Sequence, residues 1–91
     1  MPRVPSPAAA HIGALVAEAR KQRGLTQDDL AHLARIDPSN VRSYEKGRAM
    51  MGIPTLIRLA DALKVEPGSL LKGVVPELFA PRAVDERRRA G

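Results

Sequence analysis

The stretch IDPSNVRSYEKGR, Ile36 to Arg48, carries the start and stop signals of one short helix. Asp37 is a good N-cap, because its carboxylate can accept from the free N–H groups of a first turn. Pro38 follows at the first helical position, where its missing N–H costs nothing. Gly47 ends the segment, since glycine most readily takes the left-handed backbone that closes a helix. Only about two turns fit between Pro38 and Lys46. A helix that short is not stable alone in water, so packing must hold it. On a helical wheel Val41, Tyr44 and Glu45 fall inward. Ser39, Arg42, Ser43 and Lys46 point outward, with Asn40 at the edge. This outward set is polar and long enough to reach a partner.

Immediately upstream lies TQDDLAHLA, residues 26–34. Thr26 is an N-cap and Asp29, three residues on, approximates a capping box. Asp28 and Asp29 suit the positive end of the helix dipole. Leu30, Leu33 and Ala34 are expected to form the apolar face. The two helices, Gln27 to Ala34 and Pro38 to Lys46, are separated only by Arg35-Ile36-Asp37. So tight a junction predicts a helix-turn-helix, an arrangement whose second helix can enter the major groove of DNA.

Further out, a first helix begins at Ala8, with Ile12, Leu15, Val16 and Ala19 on one stripe and Glu18, Arg20, Lys21 and Arg23 mostly off it. Gly24 closes it. After RAMMG, a fourth helix runs from Ile53 to Leu63, with Pro54 tolerated in its first turn and Leu56, Leu59, Ala60 and Leu63 buried. A fifth short helix starts at Pro67, carries Leu70 and Leu71, and ends at Gly73. No strand-like alternation appears. The pattern predicts a compact all-α domain of five helices over residues 8–73. The proline-rich MPRVPSP, residues 1–7, reads as a flexible arm. Residues 74–91 read as an extension: apolar VVPELFAP, a candidate dimer contact together with the fifth helix, then the disordered tail DERRRAG. The alternative for Val74 to Phe79 is that it folds back on its own domain.

Fifteen Lys and Arg against ten Asp and Glu give a net charge of +5, which points to a polyanionic partner. Tyr44 and Phe79 are the only aromatics, too few for single-stranded binding by base stacking. The chain has no cysteine, hence no disulfide framework, which fits a reducing cytoplasm. No apolar run reaches the roughly eighteen residues of a membrane span, and no signal-peptide pattern opens the chain. His11 and His32 lack an acid, cysteine or second histidine at ligand spacing, so neither metal binding nor catalysis is expected of them. Ser69 has no base to activate it. GALV lacks phosphate-loop spacing. Arg87 to Arg89 sit beside Asp85 and Glu86 and read as a solvated tail. No catalytic set, cofactor, metal or small-molecule ligand is expected, and the chain does not read as an enzyme.

GLTQDDLAHLARIDPSNVRSYEKGR, followed by TLIRLADALKV and LL, resembles the lambda-repressor-like (XRE/Cro-type) helix-turn-helix family over residues 11–73. The matching pieces are Gly24-Leu25-Thr26-Gln27, Leu30-Ala31, Glu45 with Gly47, and Leu59-Ala60-Asp61-Ala62-Leu63. The resemblance implies a five-helix DNA-binding domain of the kind found in phage repressors, bacterial regulators, restriction-modification controllers and some antitoxins. It implies that Gln27 binds a DNA phosphate and that Ser39 and Ser43 read bases, with Arg42 beside them. It also implies that Glu45 pairs with Arg20. Lys46 and Arg48 stand where phosphate contacts are natural, although Lys46 equally suits the negative end of its own helix, which needs no DNA. Two positions depart from the family pattern: Arg35 replaces the usual turn glycine, and Met51 replaces a frequent proline before the fourth helix. If the turn needs a left-handed backbone there, arginine costs about 1–2 kcal/mol; the alternative is a slightly different turn with the Arg35 side chain near a phosphate. Met50 and Met51 read as core gap fillers.

The sequence therefore predicts a cytoplasmic, sequence-specific regulator of transcription that binds double-stranded DNA. One two-turn helix reads few base pairs, so a homodimer on a palindromic operator is expected. A bridging-coactivator-like protein adaptor, which YEKGRA resembles, is the rival. The two differ in whether Gln27, Ser39, Arg42 and Ser43 make one exposed polar face.

Overall fold

Four α-helices, α1 (Pro7–Gln22), α2 (Gln27–Ala34), α3 (Pro38–Glu45) and α4 (Ile53–Leu63), form the body of a computed structural model that describes residues 6–79. Two 3₁₀ turns follow, Pro67–Leu71 and Pro76–Leu78, and no strand occurs among the described residues. The expectations for the rest of the arm and for the tail with Arg87 to Arg89 lie outside the described residues.

The expected fifth α-helix is corrected to a 3₁₀ turn. Pro67 lacks an N–H and Gly73, with φ +82°, stops the segment soon after Leu71. Too few residues remain for a ladder of i→i−4 bonds, and the tighter 3₁₀ form serves short pieces. Leu70 is nevertheless fully buried, while Leu71 is exposed. At the other end α1 begins before Ala8. Ser6 is its N-cap, accepting from the Ala9 N–H at 3.3 Å, and Pro7 is its first residue. Ser6-Pro7 is the same signal as Asp37-Pro38.

All four helices close alike. Gly24, Arg35, Gly47 and Lys64 take φ of 72°, 62°, 75° and 60°. The next residue then donates back to a carbonyl five positions earlier: Leu25 to Arg20, Ile36 to Ala31, Arg48 to Ser43 and Val65 to Ala60, at 2.9–3.1 Å. These bonds satisfy carbonyls that a helix end leaves open. Of the two possibilities for Arg35, a left-handed backbone or a different turn, the structure has the left-handed one.

The core gathers Ile12 and Val16 of α1, Leu30, Ala31 and Ala34 of α2, Val41 of α3, Leu56, Leu59, Ala60 and Leu63 of α4, and Leu70. Leu33, expected on the apolar face of α2, is 54% exposed. Leu30, Ala31 and Ala34 define that face, and at about 100° per residue Leu33 falls roughly a quarter-turn to its side. The methionines divide: Met51 packs against the core and Met50 is exposed.

α1 and α3 approach unusually closely. Gly13 is buried against α3, where a Cβ would run into the Tyr44 carbonyl oxygen and lie 3.0 Å from that of Glu45. A Cβ on Gly47 would lie 2.7 Å from the Ala10 Cα. Gly13→Ala gains about 1 kcal/mol of helix propensity, but the obstacle is backbone and cannot rotate away. We expect a net loss of about 1–3 kcal/mol, read as a lowered midpoint in urea denaturation.

The caps give the fold an acid limit. In α2 Thr26 Oγ1 accepts from the Asp29 N–H and Asp29 Oδ2 accepts from the Thr26 N–H, both at 2.9 Å. Asp37 Oδ1 accepts from the Ser39 hydroxyl at 2.7 Å and the Ser39 N–H at 2.8 Å. The Thr26 N–H holds the Asp29 carboxyl below the ordinary range, and the Ser39 hydroxyl and N–H do the same for Asp37. A carboxyl depressed in the folded state contributes stability that is present above its unfolded value, near 3.9, and is lost as pH falls through the folded one. The urea midpoint should therefore fall below about pH 4, and Asp29→Asn with Asp37→Asn should flatten that fall.

Candidate nucleic-acid interface

α3 buries one apolar side chain completely, Val41, and half-buries Tyr44. Its remaining hold is polar. Arg20, in the last turn of α1, donates from Nε to Glu45 Oε2 at 2.7 Å and from Nη2 to Glu45 Oε1 at 3.0 Å. The same guanidinium donates from Nη1 to the Leu25 carbonyl at 2.8 Å. The side chains of Arg20 and Glu45 are only 12% and 6% exposed. The hydrogen bonds to Glu45 raise the Arg20 pKa above its already high value. Gln27, the first residue of α2, donates from Nε2 to Glu45 Oε1 at 2.9 Å. One carboxylate thus ties the end of α1, the start of α2 and the end of α3.

In front of this knot the outer side of α3 is open. Ser39, Asn40, Arg42, Lys46 and Arg48 are exposed, whereas Ser43 and Gln27 are half-buried. Asn40, expected at the edge, is exposed in the first turn. Ser43 lies in the second turn, where Arg48 folds back onto its carbonyl at 2.9 Å. Lys46 is the C-cap of α3. Arg42 reaches across to α2, with Nη1 3.5 Å from Asp28 Oδ1. The start of α2 and the outer side of α3 therefore form one continuous polar surface. Sequence reasoning assigned Asp28 only a dipole role, and no local signal joins it to Arg42.

The arrangement suits binding of a polyanion that also offers neutral hydrogen-bonding edges. α3 and the residues just after it carry exposed or half-buried guanidinium, amide, hydroxyl and ammonium side chains, and free N–H groups of the first turn of α2 add a positive helix end. Among the described residues no three His, Cys, Asp or Glu side chains gather as a metal site, and no helix is long and apolar enough to cross a membrane. His11 instead uses its Nε2 in a 2.6 Å hydrogen bond with the Lys72 carbonyl, fastening α1 to the chain just after the first 3₁₀ turn.

Because the pair is nearly enclosed, removing one partner leaves a charge without compensation. Glu45→Leu should cost about 3–5 kcal/mol. Arg20→Met combined with Glu45→Leu should cost less than Glu45→Leu alone, since it strands no charge. Chemical denaturation of the three chains checks the order.

A family model described as helix-turn-helix matches residues 16–70. Among solved structures, the restriction-modification controller protein C.AhdI from Aeromonas hydrophila is 34% identical, with TM-score 0.67, over 68% of this chain and 94% of its own. The clp gene regulator ClgR from Corynebacterium glutamicum is 25% identical, with TM-score 0.68, over 70% of this chain and 68% of its own. SinR, a master regulator for biofilm formation solved in complex with DNA, is 28% identical, with TM-score 0.64, over 66% of this chain and 97% of its own. No curated protein matches the chain.

Proposed function

The chain belongs to the helix-turn-helix family, and from that membership we infer that it is a DNA-binding regulator of transcription. The observation that carries the reading is the exposed polar side of α3, held from behind by the buried Arg20–Glu45 pair and continuous with the start of α2. α3 lies in the major groove. Arg42, Asn40, Ser39 and Ser43 face base edges, and Gln27, Lys46 and Arg48 face phosphates. Phosphate contacts set the register and base contacts select the sequence.

Individual roles follow from the hydrogen bonds. One amide hydrogen of Gln27 is committed to Glu45; the other, with the backbone N–H groups of Gln27 and Asp28, is available to a phosphate. The Ser39 proton is committed to Asp37, so its hydroxyl presents lone pairs, which suit the amino donors of adenine and cytosine. Arg42 suits the two acceptors of guanine.

A helix of two turns reads few base pairs, so the protein acts as a homodimer on a palindromic site. The dimer face is the apolar groove lined by Ile12, Met51, Ile53, Leu71, Val74 and Phe79. Val74 packs on its own domain, while Ile53 and Phe79 stand exposed and a second copy would cover them. Among narrower roles, the similarity to C.AhdI over nearly its whole length favours control of a restriction-modification system.

Selection of bound sequences from a random duplex pool tests the reading; recovery of a palindromic motif is expected. On that motif Arg42→Ala should relax preference at one base pair per half-site by roughly five- to a hundredfold. Gln27→Ala should instead weaken binding to all duplexes by similar factors. Unchanged base preference and unchanged salt slope in Arg42→Ala would remove Arg42 from the DNA.

A further inference from the structure

Asp28 is an odd neighbour for a phosphate-binding surface. It adjoins Gln27 at the start of α2 and is 76% exposed. It takes no part in the capping box, which Thr26 and Asp29 complete. A carboxylate there opposes the approach of any duplex backbone. Among the described residues its one charged partner is Arg42, on the other helix of the unit, whose guanidinium lies 3.5 Å away and whose side chain is 47% exposed.

We propose that Asp28 is a positioning residue for Arg42, steering its guanidinium toward neutral base acceptors and away from phosphates. The proposal rests on the DNA-binding reading above. Arg42 has two kinds of acceptor within reach of its fork, a guanine edge or a backbone phosphate. A guanidinium has five N–H donors, and a guanine takes two. Arg42 can therefore keep Asp28 on Nη1 and still present a pair of donors to a guanine. A phosphate is different, because it is itself an anion. Drawing Arg42 to it either breaks the pair with Asp28 or brings phosphate and carboxylate together. Asp28 thus penalises the contact that carries no sequence information and leaves the one that does.

An exposed pair of this kind has a limited effect, up to about fivefold in a binding constant. The test uses the full chain, a duplex selected from a random pool, its single-base variants and an unrelated duplex. Asp28→Asn should strengthen binding to the unrelated duplex and flatten preference at the base pair that Arg42 reads, by up to about fivefold each. Asp28→Glu, which keeps the charge, should retain most of the preference. With Arg42→Ala already in place, Asp28→Asn should shift all duplexes alike and leave base preference unmoved. General removal of a negative charge predicts that uniform shift in both backgrounds, so preference is the deciding readout. Intact preference in Asp28→Asn, or the same loss with and without Arg42, overturns the positioning role while the DNA-binding reading stands. A wild-type chain with no duplex selectivity overturns both.

Discussion

The Arg20–Glu45 pair is the constraint on which the other features depend. α3 has little apolar surface of its own, with Val41 buried and Tyr44 half-buried. Hydrophobic burial alone would leave it free to slide or turn. The bidentate contact adds direction, since a guanidinium fork meets a carboxylate in few orientations. The Leu25 carbonyl and the Gln27 amide join the same two side chains, so the turn after α1 and the start of α2 are fixed with α3. A buried ion pair is a poor source of net stability, because desolvation offsets much of the attraction. Its value here is geometric. Gly13 and Gly47 complement it by letting the α1 and α3 backbones touch, which sets the depth of the crossing while the ion pair sets its rotation.

The four helix closures make the same point from the chain path. After three of them the next residue is apolar, and Leu25, Ile36 and Val65 each turn back onto the core. That burial helps offset the strain of the left-handed Arg35 and Lys64, about 1–2 kcal/mol each. The exception follows α3. There the residue after Gly47 is Arg48, which is exposed. The closure at the end of α3 thus supplies a cation to the open surface instead of an anchor to the core.

Much of this was legible because it is local. Caps, first-turn acids and closing glycines act within one turn, so α2, α3 and α4 could be placed from Thr26, Asp37, Gly47 and the apolar spacing of Leu56, Leu59, Ala60 and Leu63. Ser6-Pro7 carried an equally local signal that proline-rich surroundings masked. The fifth helix failed because α and 3₁₀ spacing cannot be told apart over five residues. Leu33 failed because an eight-residue helix with two buried alanines can centre its face on them. The pairing of Arg20 with Glu45 came from family resemblance, since residues so far apart in sequence carry no local mark of contact. Gly13 and the Asp28–Arg42 contact were missed for that same reason: each depends on a helix crossing that exists only after folding.

The two sides of α3 differ in energy scale, and that difference bears on how such a helix reads DNA. Behind it, removal of a buried partner costs about 3–5 kcal/mol. In front, an exposed pair such as Asp28–Arg42 contributes about 0.2–1 kcal/mol. Thermal energy is about 0.6 kcal/mol, enough to let Arg42 shift against Asp28 but not to loosen Glu45. The outward side chains can therefore adjust locally against their intramolecular partners while the helix axis stays where α1 and α2 hold it. Little ordering of the backbone remains to oppose binding. On the DNA-binding reading proposed above, selectivity then depends mainly on which acceptors the duplex offers to a few side chains presented by a helix already held in place.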